Sequence, residues 1–240
     1  MEKKPSYWGL YIGLIATSVF FAVLEVITHI RVLGHIAAVP LEVFLAVFVV
    51  ERFLARREEA EKRRQLMFIK SYLFRSEMRN LFLTGFEALE SPPVTMKRIH
   101  DASLEDLQAM REAADHVEFR SPEAMEDLVL EYVKVRDIWI NFMNQAIRYG
   151  FEPIFHNMIQ ILHFVSEAGL YKESFPDRLY VEEAAKHPKA KDRMYKILGD
   201  GIRSFLDYAI ELKETQSDLL EEMMADYDYS ARLRADEKAA

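Results

Sequence analysis

From Pro5 to Leu24 the chain reads PSYWGLYIGLIATSVFFAVL, twenty residues without a charged side chain. At 1.5 Å per residue a helix of this length is about 30 Å long, which matches the hydrocarbon core of a bilayer. Tyr7, Trp8 and Tyr11 lie at its start, where amphipathic rings favour the membrane interface. The stretch therefore predicts a transmembrane helix over about residues 6–27.

A cleaved signal peptide is the alternative interpretation of this stretch, because Lys3 and Lys4 precede it as the basic residues of a signal peptide do. Two features argue against cleavage. The apolar run is long for a signal peptide, and no small-x-small cleavage site follows soon after it.

A second apolar stretch, from Val32 to Leu54, predicts a second transmembrane helix over about residues 33–54. It contains Glu42 and runs past the pair Glu51-Arg52. The connection over residues 28–35 is too short for a domain, so the two helices are expected to form a hairpin.

Basic residues predict the orientation of this hairpin. Lys3 and Lys4 precede the first helix, and only Arg31 lies in the connection. The residues that follow the second helix include Arg52, Arg56, Arg57, Lys62, Arg63 and Arg64. Because cytoplasmic flanks carry the excess of Lys and Arg, we expect an integral, multi-pass membrane protein with both termini in the cytoplasm.

The rest of the chain is acidic. The whole protein carries a net charge of −8; residues 1–64 carry +2, so residues 65–240 carry −10. An acidic body of this kind argues against nucleic-acid binding, which needs a basic surface. The chain has no cysteine, which excludes disulfides, thiol catalysis and thiolate metal sites.

The pattern beyond the hairpin predicts an all-α fold: a juxtamembrane helix over residues 55–90 that continues the second span, an acidic helical bundle over 91–230 and a frayed tail over 231–240. No sustained strand alternation is present. Predicted helix starts are a capping box from Ser103 to Asp106, Ser121 with Pro122, Pro153, Pro176 and Pro188. The helix from Ser121 is expected to continue to Gly150.

The sequence gives little reason to expect an enzyme or a cofactor, because it lacks the common phosphate-binding, nucleophile-elbow and zinc-protease motifs. A weak metal candidate is the stripe of Glu152, His156, His163 and Glu167 on one helix face. The two histidines are about 10 Å apart along the axis, so they cannot share one ion directly. A solvated face is the preferred interpretation.

Two further helices carry apolar residues that need a partner. Leu128–Ile147 is apolar on nearly every side, which is typical of a helix at the centre of a bundle or buried in an oligomer. The acidic stretch Glu211–Asp228 also carries an apolar face, so it is expected to dock on its own bundle or on a partner helix.

Polar residues within the predicted hairpin are the remaining candidates. If the turn lies near Leu33-Gly34, Glu25 and Glu42 lie at similar depth, either snorkelling at the interface or lining a polar pathway in an oligomer. Gly9 and Gly13 make a small-x-x-x-small pattern that favours close helix packing.

Together these features predict a non-enzymatic, membrane-anchored scaffold or regulator. It would self-associate in the lipid bilayer and present its bundle to a cytoplasmic protein partner. The alternative is an oligomeric cation channel or proton pathway with Glu42 in the pore.

Overall fold

The computed structural model describes the backbone of residues 8–239. Within that range the surroundings of these residues are not described: Trp8, Leu10, Arg31, Gly34, Glu59, Arg63, Pro153, Ala235 and 237–239. Lys3, Lys4 and Tyr7, on which part of the topology prediction depends, lie outside the described residues. The chain divides into two compact units, Met1–Leu66 and Met67–Ala240.

Helices make up most of residues 8–239, which confirms the predicted all-α class. They are α1 Trp8–Thr28, α2 Arg31–Tyr72, α3 Arg79–Ala88, α4 Met96–Asp101, α5 Leu104–Ala113, α6 Pro122–Lys134, α7 Arg136–Tyr149, α8 Glu152–Ser174, α9 Tyr180–Ala185, α10 Pro188–Thr215 and α11 Ser217–Ala239. A π-helical turn covers Leu73–Glu77. Two short strands that the sequence did not predict, β1 Leu89–Ser91 and β2 Glu118–Phe119, pair antiparallel.

The first unit contains α1 and the apolar part of α2. Among the described residues, one segment is shown to be long and apolar enough to cross a membrane: Tyr11–Thr28, with a mean hydropathy of 2.0 and none of its residues buried. The stretch that begins at His35 soon takes in Glu42, Glu51 and Arg52. The second span, over residues 33–54, therefore stays a prediction.

The second unit packs its helices around an aromatic core. Phe205 of α10 lies at the centre, with its ring 4.8 Å from that of Phe82 and 5.5 Å from that of Tyr227. α10 also contributes Ile202, Leu206, Tyr208, Ala209 and Leu212, all 2% exposed or less. The acidic stretch Glu211–Asp228 docks on this same bundle, because Met224 and Tyr227 of α11 are fully buried.

Several predicted helix starts are confirmed. The side chains of Ser103 and Asp106 form the expected capping box at the start of α5. Ser121 caps α6, with Pro122 in its first turn, and Pro188 begins α10. The prediction was wrong at Pro176, because the next helix, α9, begins at Tyr180.

The long helix predicted from Ser121 to Gly150 is broken at Val135. There the carbonyl of Tyr132 accepts a hydrogen bond from the indole nitrogen of Trp139 at 3.3 Å. This bond satisfies a backbone carbonyl at the end of α6, where helical partners run out. The predicted single helix to Glu90 is also interrupted, by the π-helical turn, whose Phe74 carbonyl accepts a 2.6 Å hydrogen bond from Tyr227.

The predicted frayed tail is helical through Ala239, as the last part of α11. Arg234 holds this part of α11 on α3. Its guanidinium donates a hydrogen bond to the hydroxyl of Thr84 at 3.0 Å and lies 3.8 Å from the carboxylate of Glu87. The tail is thus bonded to α3 at Arg234, while Arg232, Leu233 and Asp236 are exposed.

Candidate functional site

The turn between α1 and α2 fixes the depth of the two candidate carboxylates. α1 ends at Thr28 and α2 begins at Arg31, so the turn lies before Leu33-Gly34. Glu42 is eleven residues into α2, or about 16 Å along its axis, whereas Glu25 lies within about one helical turn of the end of α1. Glu25 and Glu42 therefore lie at different distances from the turn, and the turn near Leu33-Gly34 on which their expected similar depth depended is not present.

Glu42 also faces away from α1. The residues of α2 that contact α1 include Ala37, whose carbonyl accepts a 2.6 Å hydrogen bond from Ser18, and Phe44, whose ring lies 5.4 Å from that of Tyr11. At about 100° per residue, Glu42 lies about 140° to 160° around the helix from both contacts. Its side chain is exposed, so α1 of the same chain does not cover it.

Gly9 and Gly13 likewise face away from the second helix. A Cβ atom built on either glycine would meet nothing within 4 Å, so the small-residue stripe packs against nothing described in this chain. The neighbouring Thr17 is exposed, and its hydroxyl donates a 2.8 Å hydrogen bond to the Gly13 carbonyl. The close packing predicted for the glycines is thus absent between α1 and α2.

The charged end of the apolar region holds contacts that the sequence did not reveal. The hydroxyl of Tyr11 donates a hydrogen bond to the carboxylate of Glu51. The Arg52 guanidinium lies 5.9 Å from the ring centre of Phe48. A surface cleft of about 440 Å³ is lined by Phe48, Glu51, Arg52, Ala55 and Arg56. Polar and aromatic groups alternate here as they do at membrane interfaces.

The four metal candidates on α8 are all exposed. The ring nitrogen Nδ1 of His156 lies 2.9 Å from the backbone carbonyl of Glu152, and the carboxylate of Glu167 pairs with Arg193 of α10. In the described part of the chain, no group of three or more His, Asp or Glu side chains is arranged to hold an ion. The geometry gives this stripe no ligand set, and Glu167 makes a contact between helices.

Tyr180 lies beside that ion pair. Its side chain is 3% exposed, and burial, together with the nearby Glu167 carboxylate, raises the pKa of its phenol to about 12. The hydroxyl therefore stays neutral at physiological pH and cannot serve as a base there.

A buried carboxylate that the sequence analysis did not single out joins three helices of the bundle. Glu126 of α6 is 3% exposed, and its Oε2 accepts a 3.0 Å hydrogen bond from the backbone nitrogen of Val181 in α9. The Nζ of Lys172 in α8 lies 3.3 Å from the other carboxylate oxygen. Glu126 shares a helix face with Val129 and Val133, which was the available signal that it is buried.

The ends of the bundle are held by ion pairs from α11. Arg75 in the π-helical turn donates hydrogen bonds to Asp226 at 2.6 Å and Glu222 at 2.9 Å, and the bond to Asp226 raises the pKa of its guanidinium. Arg79 donates a 2.6 Å hydrogen bond to Ser230. These contacts use Asp226 and Glu222 to fix α11 on the π-helical turn.

Two surface clefts lie on the bundle. One, of about 290 Å³, is lined by Leu89, Glu90, Pro93, Val94, Thr95 and Arg120; the other, of about 370 Å³, by Thr95, Lys97, Arg98, Asp101, Ala102, Asp106 and Met110. The guanidinium of Arg98 already bonds the Pro93 carbonyl at 2.7 Å, and Asp106 is used in the capping box. Arg98 and Asp106 are thus engaged in local structure.

Comparison of the chain with protein-family models, with curated proteins and with solved structures found no match.

Proposed function

We propose that this chain is a two-pass membrane protein with both termini in the cytoplasm, acting as a non-enzymatic scaffold that self-associates. The observation that carries the proposal is α1, whose apolar window Tyr11–Thr28 has no buried residue. A helix that apolar needs either a protein core or lipid around it, and the described residues of the first unit form no core around α1. The basic residues from Arg52 to Arg64 support a cytoplasmic position for the chain after α2.

The surface offered to a cytoplasmic protein partner would be the helical pair α7–α8. Only Trp139 and Ala146 of α7 are buried, although the helix is largely apolar. Ile147 is 56% exposed and Ile159 of α8 is 40% exposed. The inner side of the pair packs on the core, and these exposed apolar side chains on its outer side are available for association.

Membrane topology gives the first test of the proposal. The chain has no cysteine, so Gly34→Cys and Ala60→Cys each introduce one unique label site. In sealed vesicles of known orientation, a membrane-impermeant maleimide should label Gly34→Cys only from outside and Ala60→Cys only from the cytoplasmic side. The reverse pattern, or labelling of both sites from the cytoplasmic side, would refute the two-pass topology.

A cation pore is the second candidate function, and the depth of Glu42 favours it. An acid about 16 Å into an apolar helix is beyond the reach of ordinary snorkelling at the outer end, and such acids often mark ion or proton pathways.

Ion flux separates the two functions. For a scaffold, we expect oligomers of the wild-type chain in liposomes to pass no more cations than protein-free liposomes do, and Glu42→Gln to change nothing. For a pore, we expect flux that falls or loses selectivity in Glu42→Gln, because the substitution removes one charge per subunit while keeping the shape of the side chain. Flux from the wild-type chain that depends on Glu42 would replace the scaffold function by the pore.

A further inference from the structure

Helices α1 and α2 each present one unusual face, and the two faces point away from the hairpin interface. On α1 this face consists of Gly9, Gly13 and Thr17, with open space at both glycines. On α2 it is centred on Glu42, with the small exposed residues Ala38 and Ala46 one helical turn to either side. We call these the glycine face and the Glu42 face.

The register between the helices places these two faces at the same level. Ser18 of α1 contacts Ala37 of α2, and Tyr11 contacts Phe44. The second contact lies seven residues earlier in α1 and seven residues later in α2 than the first, which defines an antiparallel register. That register puts Glu42 level with Gly13, and Ala38 level with Thr17.

The geometry points to a second copy of this chain as the occupant of the Glu42 face, with the glycine face of that copy packed against it. This inference rests on the two-pass placement proposed above. A carboxyl group at this depth needs a hydrogen-bond partner or a proton, since hydrocarbon offers neither water nor counter-ions. The glycines allow the backbones to approach closely, as small residues do in membrane helix pairs.

Side-chain direction supplies the polar contact. The Cα–Cβ bond of a helical residue tilts towards the helix N-terminus, so the carboxyl of Glu42 is displaced towards the level of Ala38. Thr17 of the neighbouring copy lies at that level, and its hydroxyl is the polar side chain of the glycine face. The Thr17 hydroxyl spends its hydrogen on the Gly13 carbonyl, so its oxygen accepts a hydrogen bond from the carboxylic acid form of Glu42 in the neighbouring copy.

The contact joins two different faces, so it is head-to-tail. Each copy keeps one face free after pairing with a neighbour, and the assembly grows beyond a dimer until a ring closes. A symmetric dimer would instead join the same face of both copies.

Disulfide cross-linking in the native membrane, between cysteines introduced into this otherwise cysteine-free chain, tests this arrangement. Ala16 and Ala38 are exposed, small and on the facing surfaces at nearly the same level. The double variant Ala16→Cys/Ala38→Cys should give, on mild oxidation, a ladder of dimers, trimers and larger species, whereas each single variant should stay monomeric on the gel. Dimers from a single variant, or no ladder from the double variant, would overturn the inference.

Further substitutions are made in the double-cysteine chain. Gly13→Leu fills the glycine face and should abolish the ladder, and Thr17→Val should reduce it by removing the hydroxyl. Val19→Leu, at an exposed position on the flank of α1, is the matched control and should leave the ladder intact. A ladder that survives Gly13→Leu would count against the glycine face.

The labelling of Gly34→Cys distinguishes the two levels of failure. Outside labelling without a ladder would refute only the head-to-tail packing, whereas absent outside labelling would refute both the two-pass topology and this packing.

Discussion

Gly201→Ala should destabilise the bundle strongly. A Cβ atom at position 201 would lie 2.1 Å from the hydroxyl oxygen of Tyr132 and 3.4 Å from its Cζ atom. Tyr132 is 2% exposed, stacks on Trp139 with ring centres 5.6 Å apart and meets Phe164 edge-on, so it has little room to move. Overpacking a well-packed core costs about 1–3 kcal/mol, and we expect a loss of about 3 kcal/mol or more here. Unfolding of the detergent-solubilised chain, followed by circular dichroism in urea, measures it.

Tyr132→Phe should rescue most of this loss, because it removes the one atom that the new Cβ would strike. The hydroxyl donates only a long, 3.4 Å hydrogen bond to the Ile197 carbonyl, so the substitution alone should be mild. Gly169→Ala is the matched control: its Cβ would meet Val133 at an ordinary 3.7 Å, and alanine in a helix is favoured over glycine by up to about 1 kcal/mol. Equal losses in Gly201→Ala with and without Tyr132→Phe would contradict the proposed clash.

Short sequence patterns predicted the helix starts and helix faces that depend on residues close together in the chain. Ser103 and Asp106 lie three residues apart, so the side chain of each reaches the backbone nitrogen of the other, and Ser121 followed by Pro122 fits the start of a helix. The helical periodicity of α8 predicted which of its faces is buried and which is exposed, because buried Met158 and Val165 lie opposite the exposed stripe.

The interruptions of helices could not be predicted, because their causes are distant in sequence or lack a local marker. The π-helical turn is stabilised by Tyr227, whose hydroxyl reaches Phe74 from 153 residues away. The break at Val135 has neither Gly nor Pro and depends on the indole of Trp139.

Residue type alone identified Glu42 as a candidate, but the position and direction of its side chain depend on the contacts between α1 and α2. An acid within an apolar stretch identifies Glu42 without any structure. Its depth and direction required the turn after Thr28 and the register set by Ser18 and Ala37, and no periodicity within one helix fixes the register between two. The expected similar depth of Glu25 and Glu42 depended on a turn position that the sequence alone did not fix.

Lys172→Met should cost more stability than any surface charge of the bundle. The substitution leaves the carboxylate of Glu126, with only 4% of its side chain exposed, bonded to the backbone nitrogen of Val181 alone. It also removes the hydrogen bonds that Nζ donates to the carbonyls of Pro176 at 2.9 Å and Arg178 at 2.8 Å. Removing one partner of a buried pair typically costs about 3–5 kcal/mol, and we expect a loss in that range.

A second substitution identifies the cause of this loss. Glu126→Gln added to Lys172→Met should recover part of the stability, because the neutral amide can still accept the hydrogen bond from Val181 while burying no charge. Lys134→Met is the matched control: its Nζ lies 2.6 Å from Glu131, but the lysine side chain is 68% exposed, so the loss should stay below about 1 kcal/mol. Urea unfolding of the wild type, Lys172→Met, Glu126→Gln and the double variant forms a double-mutant cycle that gives the coupling between Glu126 and Lys172, and Lys134→Met is measured beside it. Two results would contradict this explanation: equal losses of stability in Lys172→Met and Lys134→Met, or a larger loss when Glu126→Gln is added to Lys172→Met. In either case Lys172 does not stabilise the buried carboxylate, and its bonds to the 176–178 loop account for the effect.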